Sequence, residues 1–424
     1  MTVPASVLVV GASAAGLATA EILRRRGYQG TLTVLGEEPH APYDRPPLSK
    51  QVLAGHWEHE RAALRDEAQL AALGAEFVLG ERAVGLDAGA RTVRTATGRS
   101  LCADAVVLAT GVRARRLPGQ PDLAGVHVLH TLDDALALRA DLLARPGADR
   151  PNSPGTTGNS PRTTGTSGSP DASGKRLVVV GDGVLGCEVA ATARQMGAEV
   201  TLAGPQPAPM AAQLGHGAAG LLARLHASRG VRLRPGAAVE SLTGERGRVT
   251  GVRLETGETL PADVVVVALG AVPATDWLEG SGLPTDDGVV CDSRCRAADG
   301  VYAAGDVARW HHEVLEAHVR LENRTNATEQ ALAVASVLLG GDRPYRPVPY
   351  FWTDQFDVKV QVHGRPAGDD EFTVVEGDMA DGRFVALYRR GGATTGVLGW
   401  NMPKQTLPYR RELVKAYSAL TPAP

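Results

Sequence analysis

Short, unbroken apolar runs recur through most of the chain, many of them closing at or near a glycine. Residues 6–10 read as one such strand. Residues 14–26 follow as a helix, with Leu17, Ala18, Ile22 and Leu23 facing the sheet at the helical period. Residues 31–35 form the next strand. The crossover between two such strands is right-handed, which makes them parallel. The same succession returns at 176–180, 184–196 and 199–202. Further runs lie at 105–109, 264–269 and 301–304. Strands apolar on every residue, rather than on alternate ones, suit a parallel sheet covered on both faces.

From about residue 347 the pattern changes to alternation. The segments 351–352, 358–362, 372–375, 384–388 and 396–400 are short, and Gly and Asp turns separate them. They predict an antiparallel sheet, with 410–420 as a closing helix. Between the repeated units, 146–174 consists almost wholly of Pro, Gly, Ser, Thr, Asn and Asp. With no large apolar residue it cannot offset the entropy of ordering, and it reads as a disordered insertion.

Composition adds bounds. A chain of 424 residues exceeds what one hydrophobic core usually serves, so several domains are expected. The net charge of −3 gives no global case for nucleic acid or an anionic membrane. No run approaches the roughly 18 apolar residues of a spanning helix. No secretory leader is recognisable, and the four cysteines are too few for a disulfide scaffold. Cys291 and Cys295 lack the further ligands of a zinc site. The expectation is a cytoplasmic protein that holds no metal.

The chemistry gathers at the strand-to-helix turns. Gly11-Ala12-Ser13-Ala14-Ala15-Gly16 follows the first strand. Its first glycine permits the turn and its last lets helix and sheet approach. Ser13 stands where a middle glycine usually admits a pyrophosphate, but free N–H groups and the helix dipole still favour one. Glu37 and Glu38 lie where an acid should hold ribose hydroxyls. Gly181-Asp182-Gly183-Val184-Leu185-Gly186 is a complete fingerprint, and Glu188 follows it. Near Gly204 the acid of an NAD-selective site is missing, and no arginine in 204–210 offers to bind a 2′-phosphate. A nicotinamide nucleotide is therefore expected, with NADH or NADPH left open. Thr110-Gly111 and Leu269-Gly270 mark crossings between the two units. Asp306, at a strand end, reads alone as a helix cap; after two nucleotide units it reads as an acceptor for a ribityl hydroxyl.

The fold class is therefore α/β, with two Rossmann-like dinucleotide-binding domains and a C-terminal α+β domain. The expected limits are 1–111 with 271–335, then 112–270, then 336–424. These motifs, together with 42–50 (PYDRPPLSK), 302–306 (YAAGD) and 351–357 (FWTDQFD), resemble the FAD-dependent ferredoxin reductases that feed cytochromes P450 and Rieske oxygenases. The resemblance spans the chain except for the polar insertion and implies a glutathione-reductase-like flavoprotein fold.

It also implies residue roles. FAD would be held by the first turn, Glu37, Arg45, Ala83, Thr110, Gly111, His130 and Asp306. Gly181, Gly183, Leu185, Gly186, Glu188 and Gly270 would hold the nicotinamide nucleotide. Lys50 would lie beside the flavin, paired with Glu188, and Trp352 would close over the flavin region from the third domain. His130 stands where the family commonly has arginine, and Asn323-Arg324 where it often has His-Trp. Hydride would enter from NADH or NADPH, and electrons would leave singly to an acidic iron–sulfur ferredoxin serving an oxygenase. Arg309, Arg389, Arg390, Arg410 and Arg411 are candidates for its dock, and a monomer is the expected state. No cysteine precedes Cys102, which excludes a disulfide reductase with its redox pair after the first turn. An NAD(P)H oxidase, a rubredoxin-type reductase, or a signalling flavoprotein resembling apoptosis-inducing factor are the rivals.

Overall fold

A computed structural model describes residues 3–144 and 171–419. Most of the polar insertion at 146–174, and the end of the last predicted helix at residue 420, lie outside the described residues.

Ser6–Val10 is the centre of the first sheet. It pairs in parallel with Thr31–Leu35 on one side and Ala105–Leu108 on the other. Val301–Ala303 extends the parallel sheet beyond Ala105–Leu108, and Arg296–Ala298 adds an antiparallel edge. Val7, Val9, Val106 and Val107 are buried, as the unbroken apolar runs require. Helix Ala14–Arg25 crosses over this sheet and packs on a second helix, Arg324–Leu338.

The second unit repeats the first. Arg176–Val180 is central, flanked in parallel by Glu199–Gly204 and Val264–Val267, with helix Val184–Gln195 as the crossover. The repetition extends to structure not predicted from the sequence. Each unit carries a three-stranded antiparallel meander: Ala83–Asp87, Thr92–Thr95 and Ser100–Cys102 in the first, Val239–Glu245, Arg248–Leu254 and Thr259–Pro261 in the second.

The chain passes between the units on two adjacent strands. Val112–Ala114 and Ala271–Pro273 pair antiparallel, immediately after Gly111 (φ 67°) and Gly270 (φ 83°). Both glycines turn the chain through a conformation that side chains disfavour.

The C-terminal part is a five-stranded antiparallel sheet ordered Tyr350–Gln355, Val358–Gly364, Ala393–Trp400, Arg383–Arg390, Glu371–Asp378. Its closing helix, Thr406–Ala419, begins earlier than the predicted 410. The Thr406 hydroxyl donates to the Pro403 carbonyl at that start (2.7 Å), and Pro408 is tolerated in the first turn. Phe384, Tyr388 and Trp400 on this sheet share one core with Val189, Leu214 and Leu48 of the other units. The C-terminal sheet is therefore docked on both nucleotide units through apolar contact.

Candidate functional site

The two glycine turns are near copies in their hydrogen bonds. The Gly11 N–H donates to the Leu35 carbonyl at 2.7 Å, and the Gly181 N–H to that of Ala203 at 2.8 Å. In each unit the neighbouring strand end (Ala109 or Ala268) donates back to the first strand at 2.7 Å. A Cβ on Gly11 would stand 2.1 Å from the Ala109 carbonyl oxygen, and one on Gly181 2.2 Å from that of Ala268. On Gly16 and Gly186 it would meet the carbonyl of the turn's own first glycine at 1.8 and 1.9 Å. These four positions admit no side chain. Gly183 differs, because a Cβ there would meet nothing within 4 Å. Backbone bare to open space at a helix N-terminus is the cradle a diphosphate requires. Ser13, its counterpart, makes no capping hydrogen bond and leaves the first-turn amides free.

Gly11, Ser13, Glu37, Arg45, Ala83, Thr110 and His130 line one cavity. Glu37 is exposed at its rim, whereas Glu38 is engaged. Glu38 accepts from Arg45 at 2.7 Å and from the Tyr43 hydroxyl. Arg45 also donates to the His130 carbonyl. The His130 ring is pushed down to about 4 by burial and by the Arg45 charge, so it stays neutral at physiological pH. The Thr110 hydroxyl donates to the Ala274 carbonyl, just after the opposite crossing strand (3.0 Å).

Asp306, Lys50, Glu188 and Trp352 lie outside that lining. Asp306 is surrounded by protein yet keeps part of its surface open. Burial, then Glu322, push its carboxyl up to about 7 against the pull of Arg320 and Arg45. Beside it, Gly305 (φ 78°) approaches so closely that an added Cβ would lie 2.9 Å from that of Ala15. The small Ala15 side chain allows this approach, and Gly16 lets the helix close on the Gly11 carbonyl. Asn323 caps helix Arg324–Leu338 by accepting the Asn326 N–H (2.7 Å), and Arg324 binds Asp44 at 2.5 Å. The departure from His-Trp thus ties that helix to the proline-rich loop.

Lys50 Nζ lies 2.6 Å from Glu188 Oε2, both side chains largely buried. The pair joins the proline-rich loop of the first unit to the crossover helix of the second. The Ser49 hydroxyl donates to the same oxygen at 2.6 Å, and Thr353, from the C-terminal sheet, donates to the other at 2.9 Å. Gln355 then donates to Thr353 (3.0 Å) and faces buried His226 (2.7 Å). All three parts of the chain therefore meet at Glu188. Thr353, Gln355 and His226 were not singled out from the sequence, although Thr353 and Gln355 lie in the 351–357 stretch that carries the resemblance. Trp352 stacks on Tyr350 (5.9 Å between ring centroids) on the outer strand of its sheet. Cys187 is fully buried, with its thiol pushed well up by that burial, and serves as packing.

Comparison with known proteins agrees with this architecture. Residues 5–331 match the family model for pyridine nucleotide-disulphide oxidoreductases, and 350–423 match the reductase C-terminal model. The chain belongs to the pyridine nucleotide-disulphide oxidoreductase family, in the branch that carries this C-terminal domain. Within that branch it is similar to rhodocoxin reductase of Rhodococcus erythropolis, at 34% identity over 96% of this chain and 89% of the other. It is 35% identical to the ferredoxin–NAD(+) reductase component of the biphenyl dioxygenase system of Paraburkholderia xenovorans, over 91% of this chain and 86% of that one. The reductase in the crystal structure of the covalent putidaredoxin reductase–putidaredoxin complex superposes with a TM-score of 0.84 at 29% identity. That match covers 96% of this chain and 92% of the other.

Proposed function

We propose that this protein is an FAD-dependent NAD(P)H–ferredoxin reductase delivering electrons to an acidic iron–sulfur ferredoxin that serves an oxygenase. The observation that carries the reading is full-length similarity to ferredoxin reductases over both nucleotide units and the C-terminal domain. FAD, when bound, supplies acceptance of a hydride and release of single electrons.

The residues present fit that group. Gly11 and Gly16 close the first turn so that its amides can face a diphosphate, and exposed Glu37 can take ribose hydroxyls. Asp306 offers a carboxylate oxygen to a hydroxyl in a largely desolvated place. Arg45 braces the rim through Glu38 and His130. Lys50 carries a proton and positive charge where negative charge develops on reduction, and Glu188, Ser49 and Thr353 hold it there. Gly183 and the helix it opens take the nicotinamide nucleotide, and Leu185, Gly186 and Gly270 shape that turn and its crossing. Trp352 shields the flavin region.

The proposed domains are 1–111 with 271–338 for FAD, 112–270 for NAD(P)H and the remainder to 424 as the third domain; the expected limit at 335 moves to 338 because helix Arg324–Leu338 packs whole on the first unit. The working form is a cytoplasmic monomer. No helix among the described residues is long and apolar enough to cross a membrane.

The test is anaerobic reduction of the FAD-loaded protein by NADH or NADPH, followed by cytochrome c reduction with and without an added ferredoxin. The expected result is rapid bleaching of the flavin and a cytochrome rate that depends on ferredoxin. Cytochrome or oxygen turnover equally fast without ferredoxin would sink the reading and favour an oxidase.

A further inference from the structure

The second nucleotide unit lacks an acid at the end of its second strand, and the first unit provides an internal comparison. There, Gly36 follows the strand, Ala12 lies beneath it, and Glu37 comes next. A Cβ on Gly36 would meet that of Ala12 at 2.7 Å. In the second unit Gly204 matches Gly36, Pro205 matches Glu37, and Asp182 matches Ala12. A Cβ on Gly204 would meet the Asp182 Cγ at 2.2 Å and its carboxylate oxygens at 2.4 and 2.5 Å. The Asp182 carboxylate therefore occupies the space that a strand-end side chain would need. The acid absent from the strand enters from the glycine turn.

Its surroundings keep it fixed, and among the described residues no cation pairs with it. Asp182 is 5% exposed. One carboxylate oxygen accepts the Gln206 backbone N–H (3.1 Å), and the other accepts the Gln206 side-chain amide (3.0 Å). The Gln206 side-chain oxygen in turn accepts the Ala212 N–H at 2.7 Å, so all of its polar atoms are engaged. Pro205 and Pro207 stiffen the loop on either side. On the neighbouring strand, Arg232 is paired with Glu199 and Arg234 with Glu258. Neither arginine is left for a 2′-phosphate.

We propose that Asp182, pinned through Gln206, is the specificity residue that makes this site select NADH over NADPH in place of the missing strand-end acid. Its fixed negative charge opposes a 2′-phosphate at the ribose end of the turn. It is a positioning residue, acting through its field and through the Gln206 loop. The inference rests on the second unit being the nicotinamide site.

The experiment is steady-state reduction of ferricyanide by the FAD-loaded full-length enzyme with NADH and with NADPH, at low and moderate salt. Wild type is expected to favour NADH in kcat/KM by at least about tenfold, roughly 1.4 kcal/mol. Asp182→Asn is expected to cut that ratio at least about fivefold, mainly through a lower KM for NADPH. Salt is expected to narrow the wild-type ratio and not that of the variant, which a purely structural role would not produce. A wild type without NADH preference, or a variant with an unchanged ratio, would overturn the assignment. Should the variant fail to fold, the wild-type salt series decides alone: a ratio flat with salt overturns the proposal. Reduction by neither nucleotide would instead overturn the nicotinamide reading beneath it.

Discussion

Asp306 binds a proton in the folded apoprotein, up to about pH 7, that the unfolded chain releases near 3.8. Stability from this raised carboxyl is therefore fully present at low pH and lost as pH rises through about 7. Asp306→Asn, which mimics the protonated form, is expected to melt above wild type at pH 7.5 when FAD is absent. The gap closes as pH falls toward about 4. With FAD present the gap narrows, because a charge-assisted hydrogen bond is lost and FAD affinity falls about tenfold, worth about 1.4 kcal/mol. Melting the apoprotein across pH and titrating FAD separate the two effects; a pH-independent gap would refute the first. Glu188→Gln keeps the shape at the junction and removes the charge facing Lys50. Breaking a buried pair of this kind costs about 3 kcal/mol, so a lower melting temperature and slower flavin reduction are expected, with FAD content retained. At this scale the Lys50–Glu188 pair was legible only through the family resemblance. Thr353, 165 residues from Glu188, carries no local signal of that contact.

At the scale of elements, the two kinds of glycine in one turn make a controlled comparison. Gly181 has φ 111° and no room for a Cβ, so Gly181→Ala should destabilise the second unit by more than about 1 kcal/mol. Gly183 has φ −80° and open space around it, so Gly183→Ala should fold with melting unchanged. It should nonetheless raise KM for the nicotinamide nucleotide about tenfold, because the methyl intrudes where the backbone must be approached. Equal melting losses in both variants would remove the distinction. Elements were legible where burial is complete. Val7 to Val10 and Val264–Val267 are apolar throughout because both faces are covered. The meander strands were not legible, because Thr92–Thr95 and Val239–Glu245 mix exposed and buried positions in short stretches. Helix Ala211–Ser228 escaped prediction because Gly215, at φ 67°, breaks its period near the start. Leu132–Leu143 had its capping box at Thr131 and Asp134 in plain view, but the pattern beyond it is weakly amphipathic.

At the scale of the whole molecule, a protein of net charge −3 gains nothing from its overall field when it meets an acidic partner. Any attraction must come from a local patch, which also sets the salt dependence. Internal pairing narrows that patch. Arg309 is held by Asp286, and Arg390 by Asp370 at 2.6 Å, so these two charges are largely neutralised within the chain. Arg410 and Arg411 sit exposed on helix Thr406–Ala419, which packs on the C-terminal sheet bearing Trp352. Reversing both, Arg410→Glu with Arg411→Glu, should raise KM for an acidic ferredoxin about tenfold and reduce the fall of the coupled rate with salt. Ferricyanide turnover with NADH should stay at the wild-type rate, because neither residue belongs to the nucleotide turns or to the Lys50–Glu188 junction. Arg390→Glu should act more weakly on ferredoxin, since Asp370 already compensates that charge. A coupled rate insensitive to salt would remove electrostatics from docking altogether. An Arg390 effect equal to that of the pair would move the dock to the opposite edge of the C-terminal sheet, where Glu371–Asp378 and Arg383–Arg390 lie.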